Sequence, residues 1–152
     1  MDHPVLDGII RRFTAMKAGW DAAVTLGRMR EDLDALIASY VPDLPFTAEP
    51  VDAGGVPAEW VIAGGVASQD ALLYLHGGGF ATGSIRATRN LAAVLSREAA
   101  CRVLVLGYRL APEHAFPAAL DDAVAAWRWM SQPSVARRVA IGGDSAGAGL
   151  AL

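Results

Sequence analysis

The sequence predicts an α/β protein with a mostly parallel central sheet and helices on both faces of that sheet. Three short apolar runs, at 71–75, 103–106 and 139–141, alternate with segments that have helical character. Strands that are apolar on both faces and alternate with helices are typical of a parallel sheet buried on both sides. The composition agrees with a packed core, because 53% of the 152 residues are hydrophobic and only 19% are charged.

The first forty residues predict helices that precede the alternating part. Pro4 suits a first helical turn, and Pro42 would end the second helix. We interpret residues 1–40 as a helical cap segment over a site and residues 41–152 as the main domain, although a helical pair that only covers the sheet is the alternative. Apolar residues recur there at helical spacing in two sets, Val5, Leu6, Ile9, Ile10, Phe13 and Met16, followed by Met29, Leu33, Leu36, Ile37 and Tyr40.

The segment between these helices and the first apolar run predicts a hairpin. Residues 50–52 and 59–62 are two short candidate strands, and Gly54 and Gly55 supply the turn between them. Long helices are excluded from residues 41–68 by prolines, namely Pro42, Pro45, Pro50 and Pro57.

Helices connect the apolar runs that follow. One is predicted over 86–100, with Leu91 and Leu95 on one face, and another over 118–131. A further helix is predicted to begin after Ser145.

Charge and hydropathy exclude several classes of partner. The net charge is −3 and the 13 basic residues are scattered, whereas a nucleic-acid-binding face is basic. Aspartates interrupt every apolar stretch before it reaches the roughly 20 residues of a membrane span, and Met1 to Pro4 do not begin a secretory signal. We therefore predict a cytoplasmic protein with no nucleic-acid partner and no membrane span, while the oligomeric state is left open.

Metal and thiol chemistry are not indicated either. His3, His76 and His114 show no metal-ligand spacing. Cys101 is the single cysteine and lies beside the run 103–106, which predicts a buried structural thiol. The sequence thus predicts neither a metal nor a cofactor.

Residues 143–147, Gly-Asp-Ser-Ala-Gly, fit the pattern G-x-S-x-G directly after the third apolar run. A serine at a sharp turn from strand to helix has a strained backbone and projects its oxygen above the sheet. The flanking glycines let strand and helix approach each other, and N–H groups at the start of the helix can bind a developing oxyanion. Asp144 is expected to brace this turn rather than to transfer protons.

Residues 76–79, His-Gly-Gly-Gly, directly follow the first apolar run. Three consecutive glycines free the backbone to aim N–H groups at a substrate oxygen, and the alternative is a plain flexible turn. The loop lacks the Gly-Lys-Ser/Thr ending of a phosphate-binding P-loop. Active sites of open parallel sheets lie at the carboxyl ends of the strands, so the two motifs support each other.

Three segments together resemble the hormone-sensitive lipase family of bacterial carboxylesterases, which have the α/β-hydrolase fold. The resemblance is strong over about residues 45–152 and loose over residues 1–40, which resemble the cap helices of that family. The segments are His-Gly-Gly-Gly at 76–79, Tyr108-Arg109-Leu110-Ala111-Pro112-Glu113-His114 with Phe116-Pro117 and Asp121-Asp122, and Gly143-Asp144-Ser145-Ala146-Gly147.

The resemblance implies a role for each motif. Ser145 would be the nucleophile, and His76 and Gly77 would support the loop that binds the oxyanion. Residues 108–122 would brace a strand against its following helix. Ala148 stands where the family often has another glycine, and we expect this to affect helix packing only. The implied oxyanion hole consists of three backbone N–H groups, those of Gly78, Gly79 and Ala146.

The family places its catalytic Asp and His after the serine, whereas only seven residues follow Ser145. We therefore expect both to lie beyond residue 152, in a longer protein of which this chain is the N-terminal half. His76 and His114 are disfavoured as substitutes, because they belong to the glycine-rich loop and to a proline-bounded loop. The run 139–141 would then form an open sheet edge, so we expect the chain alone to aggregate or stay partly unfolded.

The predicted activity of the intact protein is hydrolysis of small carboxylic esters with short acyl chains, by acyl transfer through Ser145. Two alternatives stay open. The first is a small-molecule receptor on the same fold that has lost the catalytic histidine. The second is an amidase or peptidase of the same fold, which the three-glycine loop and residues 108–114 disfavour.

Overall fold

The computed structural model describes residues 4–39 and 44–152. Pro42 and Tyr40, which were predicted to end the second helix and to extend its apolar pattern, lie outside these ranges. The described elements are α1 (Pro4–Ala18), α2 (Leu26–Ala38), β1 (Phe46–Asp52), β2 (Pro57–Ala63), β3 (Ala71–Leu75), α3 (Ile85–Ala99), β4 (Arg102–Leu106), α4 (Ala118–Met130), β5 (Val139–Gly143) and α5 (Ala146–Ala151).

The described strands form a mixed sheet in the order β1-β2-β4-β3-β5. The three strands that correspond to the apolar runs are parallel, as predicted. β1 and β2 form the predicted hairpin, and β2 is antiparallel to β4, so the sheet is mixed, with β2 alone among the described strands running opposite to the others. The hairpin strands are longer than predicted because Pro57 is the first residue of β2 and Pro50 lies in an outer strand, where proline is tolerated.

Helices cover both faces of the sheet, which confirms the predicted layers. Side chains alternate along each strand, so successive residues of β3 and β4 contact different helices. One buried cluster joins the sheet to α4 through Leu73, Leu75, Leu104, Leu106, Ala123, Ala126 and Met130. The cluster on the other face joins the sheet to α3 through Val61, Tyr74, Val103, Val105, Ala92 and Ala93.

The strand order creates a switch point between β3 and β5. The chain leaves β3 through α3 to reach β4 on one side, and it then returns through α4 to β5 on the other side. α3 packs on one face of the sheet, while α5 lies on the face covered by α4. The carboxyl ends of β3 and β5 therefore border a crevice of the kind that binds ligands in open α/β sheets.

Of the two N-terminal helices, α2 contacts α3, and α1 contacts α2. Thr25 caps α2 by accepting a hydrogen bond from the backbone N–H of Arg28 at 3.2 Å. Several apolar side chains of α1 are exposed, namely Leu6, Ile10 and Phe13. Within the described ranges, no helix has the length and apolar character needed to cross a membrane.

Candidate active site

Ser145 lies at the turn between β5 and α5, which we call the serine turn (residues 143–147). Its backbone has φ 50° and ψ −117°, a conformation with positive φ that side-chain-bearing residues rarely adopt. The residue is exposed. The strained turn that G-x-S-x-G predicts is therefore present, with the serine at the crevice.

The two glycines of the serine turn permit a close approach to the end of β3. A Cβ atom at Gly143 or Gly147 would fall onto the carbonyl oxygen of Leu75. At Gly147 it would also lie 2.6 Å from the carbonyl oxygen of His76. These neighbours are backbone atoms that cannot rotate away, so the turn requires glycine at both positions.

The loop after β3, here called the glycine loop (residues 76–84), closes on its own backbone. Gly78 has φ 124° and Gly79 has φ 62°, values that favour glycine. The carbonyl of Gly78 accepts hydrogen bonds from the N–H groups of Ala81 (3.1 Å) and Thr82 (3.0 Å). It also accepts a bond from Thr82 Oγ1 at 2.9 Å.

Hydrogen bonds to three carbonyls fix the directions of three backbone N–H groups. A peptide unit is planar and trans, so its C=O and its N–H point in opposite directions. The carbonyls of Gly77, Gly78 and Ser145 are bonded to His76 Nδ1, to residues 81–82 and to the N–H of Gly149 respectively. The following N–H groups point the other way, and no described residue accepts a hydrogen bond from them. These are the N–H groups predicted for the oxyanion hole, those of Gly78, Gly79 and Ala146.

His76 is buried, with 4% of its surface exposed. Its Nδ1 lies 2.8 Å from the carbonyl oxygen of Gly77, and Nδ1 carries the proton there because a carbonyl only accepts. The ring stacks on Tyr108 with centroids 4.3 Å apart, and the Tyr108 hydroxyl donates to the His76 carbonyl at 2.6 Å. Burial lowers the pKa of His76. The imidazole is thus neutral and engaged within the loop.

Asp144 connects the serine turn to the glycine loop. Its Oδ1 accepts hydrogen bonds from the N–H of Gly77 at 2.9 Å and from the hydroxyl of Tyr74 at 3.0 Å. Its backbone carbonyl accepts the N–H of Gly147 at 2.8 Å. Burial and the neighbouring carboxylate raise the pKa of Tyr74, which therefore remains a donor. These bonds place Asp144 in a bracing position, and Tyr74 is a partner that the sequence analysis did not single out.

Residues 108–122 tie β4 to α4 through one ion pair. Asp122 accepts hydrogen bonds from the backbone N–H of Arg109 at 2.8 Å and from its guanidinium at 2.7 Å. Burial alone would raise the pKa of Asp122, but the bonds from Arg109 outweigh it and the pKa lies below its ordinary value. This arrangement has the form of the brace that the resemblance implies.

An apolar groove of about 460 Å³ begins beside Gly79. Its position next to an unbonded N–H group suits the apolar part of a small ligand. The groove is lined by Gly79, Phe80, Arg109, Ala111, His114, Phe116, Ala119, Leu120, Gly149 and Leu150.

No hydrogen bond joins Ser145 to a histidine among residues 4–39 and 44–152, and His3 lies outside these ranges. Within the same ranges, no three metal-binding side chains come together.

Comparisons with known proteins cover the same region. A family model described as the alpha/beta hydrolase fold matches residues 72–152. An acetyl-hydrolase from Streptomyces hygroscopicus is 50% identical over 105 residues, which are 67% of this chain and 34% of that protein. An ethyl acetate hydrolase from Pseudomonas putida is 46% identical over 86 residues, which are 53% of this chain and 27% of that protein.

Solved structures extend the similarity to the whole chain. A crystal structure of an esterase from the bacterial hormone-sensitive lipase family superposes with a TM-score of 0.90 and 40% identity, covering 99% of this chain and 50% of that one. The match therefore spans half the length of this structure, and the matched segments span 34% and 27% of the two curated relatives.

Proposed function

The chain belongs to the alpha/beta hydrolase fold family, and on that premise we propose that its protein is a serine carboxylesterase acting on short-chain acyl esters. One observation carries the proposal. An exposed serine with φ 50° stands beside three backbone N–H groups that no described residue engages. The likeness to an acetyl-hydrolase, an ethyl acetate hydrolase and a hormone-sensitive-lipase-like esterase supports the same chemistry. It does not favour a receptor or an amidase.

In the proposed reaction, Ser145 Oγ attacks the ester carbonyl carbon and its proton passes to a histidine base. The negative charge that develops on the carbonyl oxygen is stabilised by N–H groups that already point outward, which avoids reorganisation during the reaction. As the tetrahedral intermediate collapses, the protonated base returns the proton to the leaving oxygen and the alcohol departs. Water then frees the acyl group by the same route, giving its proton to the base as it attacks. The proposed donors to the oxyanion are the N–H groups of Gly78, Gly79 and Ala146.

We propose that the base lies outside residues 1–152. The one described histidine at the glycine loop, His76, is bonded through Nδ1 to Gly77 and stacked on Tyr108. Its neutral ring supports the loop instead of accepting the proton from Ser145. His114 lies in the groove wall, and no hydrogen bond joins it to Ser145.

The apolar groove supports a small, apolar acyl or alcohol group in the substrate. A volume of about 460 Å³ is in the usual range for small-molecule sites. We further propose that residues 1–40 belong to a cap, because α2 contacts loops at the carboxyl end of the sheet. The cytoplasmic location and the absence of a nucleic-acid partner stay predictions.

Hydrolysis of p-nitrophenyl butyrate by the full-length protein tests the function. We expect Ser145→Ala to lower kcat by about 10⁴-fold or more, as expected for loss of a nucleophile. Ser134→Ala is the matched control, because Ser134 is an exposed serine in the connection that leads to the N-terminal end of β5, the end opposite the crevice. Turnover that survives Ser145→Ala within a few-fold would overturn the proposal.

A further inference from the structure

Arg30 of α2 reaches across the sequence to both loops at the carboxyl end of the sheet. Its Nε donates to the carbonyl of Ala81 at 2.8 Å, and its Nη2 donates to the carbonyl of Ala111 at 3.0 Å. The guanidinium also forms a bidentate pair with Glu113, at 2.8 and 2.7 Å. The two loops meet at this point, since the N–H of Ala111 donates to the carbonyl of Phe80 at 2.8 Å.

A second bond from the same helix reaches the end of the glycine loop. Asp34 accepts a hydrogen bond from Ser84 Oγ at 2.6 Å. Residues four positions apart lie on one face of a helix, so Arg30 and Asp34 attach the same face of α2 to the segment 81–84. Ser84 in turn caps α3 by accepting from the N–H of Ala87 at 3.1 Å.

The contact with Ala81 continues to a proposed oxyanion donor. The Ala81 carbonyl that Arg30 binds shares its peptide with the Thr82 N–H, and this N–H donates to the Gly78 carbonyl at 3.0 Å, beside the Ala81 N–H and Thr82 Oγ1. The orientation of the Gly78 carbonyl sets the opposite direction of the Gly79 N–H, because the two belong to one planar peptide. We propose that Arg30 is a positioning residue, which holds residues 81–82 from outside and thereby keeps the Gly79 N–H aimed at the oxyanion. This inference rests on the proposed function.

The ion pair between Arg30 and Glu113 would not be enough to position the loop. Arg30 and Glu113 have side chains that are 27% and 52% exposed, and pairs this exposed contribute little to stability. The two hydrogen bonds to the carbonyls of Ala81 and Ala111 fix the guanidinium plane between the loops. Because Gly79 would act in the transition state, loss of its alignment is expected to lower kcat while KM stays nearly constant.

Steady-state hydrolysis of p-nitrophenyl butyrate by variants of the full-length protein tests this role. We expect Arg30→Met to lower kcat about tenfold with KM changed less than about twofold. The kcat of Arg30→Lys should lie between those of wild type and Arg30→Met, because a lysine cannot reach Ala81, Ala111 and Glu113 together. The matched control is Arg28→Met, which removes another arginine of α2 whose ion pair with Asp32 stays within the helix. Affinity for butylboronic acid, which forms a tetrahedral adduct with serine, should fall in parallel with kcat in Arg30→Met.

Three results would overturn the inference: an unchanged kcat in Arg30→Met, an equal loss in Arg28→Met, or a rise in KM alone. Should Arg30→Met fail to fold, Glu113→Gln takes its place. We expect Glu113→Gln to lower kcat about two- to threefold, and an unchanged kcat in this variant would contradict the inference. Amide hydrogen exchange over residues 76–84 needs no turnover, and it should accelerate in Arg30→Met but not in Arg28→Met. A wild type without Ser145-dependent turnover would refute the proposed function alone, whereas unchanged exchange would refute the positioning role.

Discussion

The glycine loop and the serine turn form the two sides of the candidate site, yet they are held in different ways. Side-chain hydrogen bonds hold the backbone of the glycine loop: His76 and Thr82 of the loop itself bond to it, and so do Asp144 and Tyr108 from other elements. The serine turn depends on close contact between backbones, since Gly143 and Gly147 leave no room for a Cβ against β3.

This difference predicts how each side responds to substitution. Steric contact between backbones cannot relax locally, so one added methyl group should disturb the whole serine turn. Several hydrogen bonds hold the glycine loop, so the loss of one of them should lower the free energy of unfolding by a smaller amount. In the full-length protein, substitutions in the serine turn should therefore have larger effects than substitutions around the glycine loop.

Replacement of Gly147 by alanine should be the most damaging change. The added Cβ would meet the carbonyl of Leu75 and would lie 2.6 Å from that of His76, so α5 must move away from β3. We expect a loss of about 3 kcal/mol or more in the free energy of unfolding, measured by urea denaturation, together with loss of the proposed esterase activity.

The matched control for this prediction is Gly149→Ala in the same helix. No atom lies within 4 Å of the position that a Cβ would take at Gly149, and alanine is favoured over glycine in helices by about 1 kcal/mol. Its free energy of unfolding should be unchanged or higher. Equal losses for the two variants would show that backbone contact with β3 is not what holds the serine turn.

Removal of the carboxylate that joins the two regions should have the next largest effect. Asp144→Ala leaves the N–H of Gly77 and the hydroxyl of Tyr74 without their acceptor, and both residues are buried. The expected loss is about 1–3 kcal/mol by chemical denaturation. Asp144→Asn retains one acceptor oxygen and should lose less; an alanine variant as stable as wild type would exclude the bracing role.

Removal of one hydroxyl from the glycine-loop side should cost less. Tyr108→Phe keeps the ring that stacks on His76 but loses the bond to the His76 carbonyl. We expect a decrease of about 1 kcal/mol in the free energy of unfolding. Burial raises the pKa of Tyr108 to about 12, so this difference should persist at pH 10. A decrease as large as that of Gly147→Ala would erase the contrast between the two regions.

The smallest effect is expected from the pH dependence of the Arg30–Glu113 pair. The hydrogen bonds from Arg30 lower the pKa of Glu113 to about 2, so the ionised carboxylate stabilises the folded state above its ordinary pKa near 4.5. This contribution is lost as the pH falls from there through about 2. The gap in urea midpoint between wild type and Glu113→Gln should therefore shrink from pH 7 to pH 3. A difference in urea midpoint that stays constant with pH would show that the ion pair does not stabilise the folded state.

Local pattern was sufficient to predict the helices and the three parallel strands, but it did not predict their neighbours. β4 and β5 were both predicted as strands buried on two faces, yet Val103 to Leu106 are fully buried, whereas Val139 and Ile141 are half-buried and Ala140 is exposed. β4 lies between β2 and β3, whereas β5 is the outermost described strand. Apolar character indicates what a strand can bury, and the strand order decides what covers it.

The site residues that the sequence analysis missed are those whose partners are distant in the chain. Ala81 and Ala111 are 51 and 81 residues from Arg30, and an arginine on an amphipathic helix gives no local sign of such contacts. Tyr74 was read as one residue of an apolar run, although its hydroxyl bonds to Asp144, 70 residues away. The sequence motifs predicted the local turns, whereas these long-range hydrogen bonds depend on the assembled fold.

A crystal structure of the full-length protein after reaction with diethyl p-nitrophenyl phosphate would test the central claim most directly. The reagent phosphorylates an activated serine and leaves a phosphoryl oxygen where the oxyanion would form. We predict a covalent bond from Ser145 Oγ to phosphorus, with the phosphoryl oxygen about 3 Å from the backbone nitrogens of Gly78, Gly79 and Ala146. A phosphoryl group on another residue, or an oxygen turned away from these three nitrogens, would contradict the account.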